Sequence, residues 1–222
     1  MRDDLRQASD APRGPRELST SRLRLRQWTA ADLEPFAALN ANAEVMRYFP
    51  DTLTRGQSDA LAERERTRIA ERGWGLWAVE VTHGGRFIGF VGLAEVNFTA
   101  HFTPAVEVGW RLAPDQWGCG YATEAAKAAL SFAFDTLELA EVVSFTSKAN
   151  LRSRRVMERL GMRHDTSDDF DHPSVEDGPL RAHVLYRIRP AQWCIAETET
   201  TTAATAATSA NGASTSPRRN AR

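Results

Sequence analysis

The chain has 222 residues, 42% of them apolar, enough to build one domain with a sizeable core. Its 28 basic and 29 acidic residues leave a formal charge of -1, so no excess of either sign points toward nucleic acid or a membrane surface. Cys119 and Cys194 match no metal-ligand spacing and are expected as free thiols, and no apolar run has the length of a signal peptide or a membrane span, so the protein is read as soluble and cytoplasmic.

In chain order, residues 1–17 are polar and charged with two prolines, and residues 196–222 are rich in Ala and Thr; both are expected to be disordered tails around one domain spanning 18–195. The basic end of the second tail, Arg218, Arg219 and Arg222, is assigned no function. "RLRLRQW", Arg22 to Trp28, alternates as a half-exposed strand should. Thr29 to Asp32 reads as a capping box for a helix that places Leu33, Phe36, Ala37 and Asn40 on one face. "PDTLTRG" breaks the chain before a second helix over about 58–72, mostly charged with Leu61 and Ile69 as anchors. It reads as a solvated surface helix, the alternative being a mobile cover over a cleft.

"LWAVEV" and "RFIGFVGL" form strands joined by "THGG", which is hairpin chemistry, and "AVEVGWRL" makes another strand. A helix follows from Thr123 to about Leu137, carrying Ala126, Ala129, Leu130, Ala133, Phe134 and Leu137 toward the core. "VVSFTS" is a buried strand, a short helix over about 151–160 ends at Gly161 as at a C-cap, and "HVLYRI" closes the sheet. The order of elements predicts an α/β fold with a mixed sheet and helices on both faces.

The stretch "GWRLAPDQWGCGYATEAAKAAL" runs from strand through Gly118 and Gly120 into a helix N-terminus. That arrangement aims backbone N–H groups and the positive end of the helix dipole at one point, which suits a phosphate, while an ordinary strand-to-helix turn is the bland alternative. The nearest Lys is Lys127, inside the helix, so a Walker-type loop is absent, and G-x-G-x-x-G is not completed. The turn is expected to hold a phosphate without reacting at it.

"WGCGYA", Trp117 to Ala122, resembles the Q/R-x-x-G-x-G/A pyrophosphate loop of the GCN5-related N-acetyltransferases. "TSRLRLRQWTAADLEPFAALNANAEVMRYFP" before it and "SKANLRSRRVMERLGM" after it are similar to the subgroup named for ribosomal-protein-alanine acetyltransferases, so the resemblance spans Thr20 to Trp193. It implies a GNAT-type domain with a mostly antiparallel twisted sheet. It also implies acetyl-CoA as donor, with the CoA diphosphate on Trp117, Gly118, Cys119, Gly120, Tyr121, Ala122 and Thr123. Trp117 stands where the motif often has Gln or Arg, and Met157 where many members place the tyrosine that protonates the leaving thiolate.

Acetyl transfer to an amine needs a base, a polarised thioester carbonyl and a proton for the thiolate. Glu107 lies on the strand feeding the loop, opposite in direction to Val106 and Val108, where an exposed strand glutamate is the bland reading; guided by the resemblance it is the candidate base, with Glu95 behind it. The resemblance implies that Asn150 contacts the pantetheine arm and that Ser153 takes the acid role left open at Met157, although both also read as helix caps. It implies a backbone N–H near Trp110, Arg111 and Leu112 for the carbonyl oxygen. Arg111, Arg152 and Arg154 are candidates for CoA phosphates, an ordinary surface arginine being the alternative for each. "DFDHPSVEDGPLRAHVLYR" is expected to line the acceptor cleft, with His172 and Tyr186 as acceptor contacts and no metal, since the spacing fits no standard site. Cys119 is not expected to act as a nucleophile, with no His beside it in sequence. The leading reading is an acetyl-CoA-dependent N-acetyltransferase acting on a small amine or a protein N-terminus, as a monomer or homodimer. A non-catalytic CoA-binding sensor and an enzyme with a longer acyl donor are the competing readings.

Overall fold

The computed structural model describes residues 16–193 of the chain; the expected tails beyond them, and Cys194, lie outside the described residues. The elements are β1 (Leu18–Ser19), β2 (Leu23–Arg26), α1 (Leu33–Ala41), α2 (Arg55–Arg72), β3 (Leu76–Val81), β4 (Arg86–Glu95), β5 (Val106–Leu112), α3 (Tyr121–Ser131), β6 (Val142–Ser147), α4 (Leu151–Arg159), β7 (Arg163–His164), β8 (Phe170–Asp171) and β9 (Ala182–Ile188). They form one sheet in the order β1-β2-β3-β4-β5-β6-β9-β7, with β8 on β9. Every pairing is antiparallel except β5 with β6. The mixed, mostly antiparallel sheet is the expected one.

Alternation along the strands sends neighbouring side chains to opposite faces. Trp77 on β3 goes to one face and meets Phe132, just beyond α3, edge to face at 5.6 Å. Leu23, Leu25, Val91, Val108 and Leu130 share its core. Arg111 on β5 goes to the other face, where Asn40 of α1 meets it. So α1 and α2 cover one side, α3 and α4 the other.

Two helix starts differ from the sequence reading. A capping box fixes α2 at Arg55 rather than Ser58: Thr54 N–H donates to Gln57 Oε1 at 2.8 Å and Gln57 N–H to Thr54 Oγ1 at 3.3 Å. Helix α3 begins at Tyr121, directly after Gly120 in a left-handed conformation (φ 83°), and passes at Phe132–Thr136 into a π turn instead of continuing regularly to Leu137. The Thr29–Asp32 box is present as a 3-10 turn leading into α1. Its Asp32, 1% exposed, also receives both terminal nitrogens of Arg26 at 2.7 and 2.9 Å.

Candidate active site

Strand β5 carries the candidate site on both its edges and its face. Ala113 N–H donates to Ile88 O and Val96 N–H to Ala105 O, so the odd residues of β5 bond β4 while Val108, Trp110 and Leu112 turn their backbone groups toward β6. Yet β5 and β6 are in register at a single position, Glu107 opposite Val143. Beyond it the two parallel strands part, and the N–H groups of Trp110 and Leu112 face the gap. The Leu112 carbonyl accepts the Trp117 indole N–H at 2.9 Å.

Both strands lead, at this same end, into helix N-termini. Gly118 (φ 80°) and Gly120 (φ 83°) adopt a conformation that side chains disfavour, and a Cβ built on Gly118 would meet no protein atom within 4 Å. The first N–H groups of α3 have no acceptor within their own helix and open toward that space. The loop is tied down from the far end of the sequence. Arg22 donates to Cys119 O at 3.0 Å and to Glu124 at 2.6 Å, Thr20 Oγ1 donates to the same carboxylate, and the Arg22 guanidinium lies 4.6 Å from the Tyr121 ring centre. Across the gap, Arg152 of α4 stacks over Trp117 at 4.4 Å. A guanidinium therefore stands beside the loop position where Gln or Arg was missing.

Asn150 caps α4: its Oδ1 accepts Ser153 N–H at 3.2 Å, and its Nδ2 donates to Thr146 Oγ1 and Ser153 Oγ at 3.0 and 3.1 Å. Ser153 lies on the first turn of α4, and Met157 is buried one turn on. Cys119 is exposed in the loop.

The face under α1 and α2 presents Glu107, Gly109 and Arg111 in alternation. Gly109 sits opposite Gly92, whose own Cβ position is filled by the Gly75 carbonyl, while a Cβ on Gly109 would meet nothing within 4 Å. The space above Gly109 is thus open, with Glu107 on one side and Arg111 on the other. Burial, and secondly the charge of Glu65 on α2, push the Glu107 carboxyl up from its ordinary 4.5 to about 7. Glu65 is 2% exposed; its Oε1 accepts Arg68 at 2.9 Å, and its Oε2 is buried without a hydrogen-bond partner among the described residues.

Arg111 was expected at the CoA phosphates, but its side chain points to the α1/α2 face. There it donates to Asn40 Oδ1 at 2.6 Å and lies over Phe49 and Phe90, 4.2 and 5.4 Å from their ring centres. Asn40 in turn donates to Ser58 Oγ at 2.8 Å. Arg154 instead meets Lys148 O and the Tyr186 hydroxyl. Glu95, at the end of β4, pairs with Arg72 at 2.8 Å on the rim.

His172 and Tyr186 are not brought together. His172 joins Phe98, Phe145, Phe170 and His183 in a cluster on the Glu107 face, 4.6 Å from Phe98 and 5.0 Å from His183, and burial lowers both histidines' pKa values. Tyr186 pairs in register with Ser144, the neighbour of Val143, so alternation sends it to the opposite face. There it is buried against α4 and donates to Glu158 Oε1 at 3.1 Å. Among the described residues no group of three or more His, Cys, Asp or Glu side chains is placed to hold a metal, and no helix is long and apolar enough to cross a membrane.

Residues 22–163 match the family model described as an acetyltransferase (GNAT) domain. The chain belongs to the GNAT acetyltransferases. As a GNAT protein it is an acyltransferase. It is 35% identical over 129 residues to FsC-acetyl coenzyme A-N(2)-transacetylase from Aspergillus fumigatus, covering 54% of this chain and 52% of that protein, about half the relative's length. The fold is shared with a GNAT acetyltransferase from Bacillus anthracis (TM-score 0.66, 23% identity, 78% of this chain and 98% of that one). It is also shared with Mycobacterium smegmatis RimJ, solved in complex with CoA-disulfide (TM-score 0.63, 20% identity, 82% and 90%). The segment Thr20–Arg22 and Glu124, far apart in sequence, meet at the loop.

Three residues at the site escaped the sequence reading. Glu65, Asn40 and Ser58 are polar residues buried beneath the two N-terminal helices. Asn40 was placed on one helix face with Leu33, Phe36 and Ala37, without a role. Glu65 and Ser58 belong to the buried stripe Ser58, Ala62, Glu65, Ile69, whose helical spacing is regular but whose polarity hides it.

Proposed function

We propose that this GNAT protein transfers an acetyl group from acetyl-CoA to a primary amine by direct attack in a ternary complex, with Glu107 as the general base. The observation that carries this reading is the gap between β5 and β6, bordered by the Gly118–Thr123 loop on one side and by the elevated Glu107 carboxyl on the other. A left-handed glycine cradle with open space at Gly118, the N-terminus of α3 and the Arg152 guanidinium beside Trp117 fit the diphosphate of CoA. The solved RimJ relative with CoA-disulfide supports the same donor.

When bound, the donor supplies an activated thioester whose carbonyl carbon the amine attacks. The strand N–H of Trp110 faces the gap and is the donor for the carbonyl oxygen as negative charge develops there. Glu107, half ionised near neutral pH, accepts the proton that the amine loses on forming the new N–C bond. As the C–S bond breaks, the thiolate leaves toward the N-terminus of α4, where the Ser153 hydroxyl, in place of a tyrosine at Met157, donates a hydrogen bond to it and relays the proton it takes up from solvent. His172 and the aromatic rings around it line the acceptor approach from the β6 side.

The test is release of free thiol from acetyl-CoA by the purified full-length protein across a panel of primary amines, with the acetylated product identified by mass. Release that depends on amine supports the assignment. Tight CoA binding with no acceleration by any amine would overturn it in favour of a binding module.

A further inference from the structure

Two arginines set into the sheet face carboxylates directly. Arg26 meets Asp32 and Glu80, and Arg187 meets Asp168 and Glu141. Arg111 forms no ion pair among the described residues. Its guanidinium donates to the neutral Asn40 side chain and lies over Phe49 and Phe90, while its Nε is buried with no acceptor. Burial lowers its pKa to about 10, yet it remains a cation at neutral pH. A buried charge lacking a counterion is costly unless something else supplies one.

A second unfinished group lies on the same face. Glu65 Oε2 is buried without a donor, on a residue 2% exposed whose charge acts directly on Glu107. Between these groups the sheet is bare: Gly109 leaves open space, and Gly92 beside it has room for no side chain. Glu107 and Arg111 are four residues apart on one strand, so their Cα atoms are separated by about 13 Å on the same face, one on each side of Gly109. The open site thus has an anionic wall missing a donor and a cationic wall missing an acceptor.

We propose that the acceptor is a small amine that also carries a carboxylate, with Glu65 and Glu107 receiving the amine end and Arg111 the carboxylate. This rests on the amine-acetylating reading above and narrows it from any primary amine to a zwitterionic one. Charge-assisted contacts to both ends fix the amine's direction, and the buried Arg111 discriminates against acceptors that leave it unpaired. Phe49, 39% exposed, has its ring 4.2 Å from the guanidinium at that end.

The experiment measures kcat/KM at saturating acetyl-CoA for matched acceptors that differ only at the far end: β-alanine against β-alaninamide, L-alanine against L-alaninamide, and γ-aminobutyrate against its amide. The proposal expects at least one carboxylate member to exceed its amide by about tenfold or more, and R111Q to bring that ratio close to one. R111K, which keeps the charge and loses the planar fork, retains an intermediate preference. If R111Q does not fold, the wild-type ratio alone decides. Equal use of acids and amides, preference for the amides, or better use of a C-terminally blocked peptide overturns the zwitterion while leaving acetyl transfer to amines standing. No turnover with any amine, despite CoA binding, overturns both.

Discussion

Replacing Glu107 by Gln removes the carboxyl held near neutrality, and its consequences follow from a pKa of about 7. A base with that value is about one-eleventh ionised at pH 6 and about ten-elevenths at pH 8, so wild-type kcat/KM should climb roughly tenfold across that interval with one inflection near 7. E107Q should lose roughly 10²–10⁴-fold in kcat/KM at pH 8, the scale of general base catalysis, and lose the inflection as well. Because burial is the larger cause and Glu65 the second, E65Q should move the inflection downward while leaving it above the ordinary carboxylate value of 4.5. The same carboxyl affects stability with opposite sign. Its folded value lies above its ordinary one, so its contribution is fully favourable below about pH 4.5 and is lost as pH rises through about 7. E107Q, neutral at every pH, should therefore be the more stable protein at pH 8, by at most about 3 kcal/mol, and no more stable at pH 4.5. The assays are steady-state thiol release from pH 5.5 to 9 and urea unfolding at the two pH values. An unchanged pH profile in E107Q would refute the base assignment, and equal stability at pH 8 would refute the buried carboxyl behind it.

Further outcomes follow from individual contacts. D32N breaks a buried pair to Arg26 and should cost about 3–5 kcal/mol, a drop of roughly 10 °C in melting temperature by circular dichroism; a shift within 2 °C would show that pair to be dispensable. R22M unties the loop at Cys119 and leaves Glu124 without its cation beside the proposed diphosphate site, so KM for acetyl-CoA should rise about tenfold, equivalent to about 1.4 kcal/mol, and an unchanged KM would count against the tie. S153A should lower kcat at saturating donor if its hydroxyl protonates the thiolate, and full turnover would assign that proton elsewhere.

Much of this protein was legible because its core obeys simple periodicities. The β3–β4 hairpin, β6 and β9 are apolar runs bounded by turn residues, and the structure places them within a residue or two of where alternation does. The two-residue strands β1, β7 and β8 carry no period and were not foreseen. At the site, the glycine loop was visible because two closely spaced glycines before an alanine-rich helix have few other uses. Its tether was not: Arg22 and Glu124 are 102 residues apart, and nothing local in either marks the other. Glu65 was hidden for a related reason, since a glutamate among the arginines of α2 reads as a solvated surface charge until the fold lays it against Gly75 and under the reach of Glu107. The same holds for Arg111, where strand alternation gave the face but not what lies on it.

Calorimetric titration of CoA into the wild-type protein and into G118V tests the donor site most directly. The Cβ of a valine at Gly118 meets no protein atom within 4 Å, but the residue adopts a disfavoured backbone angle and projects into the open side of the loop, so its folding cost should be about 1–2 kcal/mol while CoA affinity falls at least tenfold. One-to-one binding to the wild type that is lost in a folded G118V is the predicted result. Binding of equal strength to both, or to neither, contradicts it.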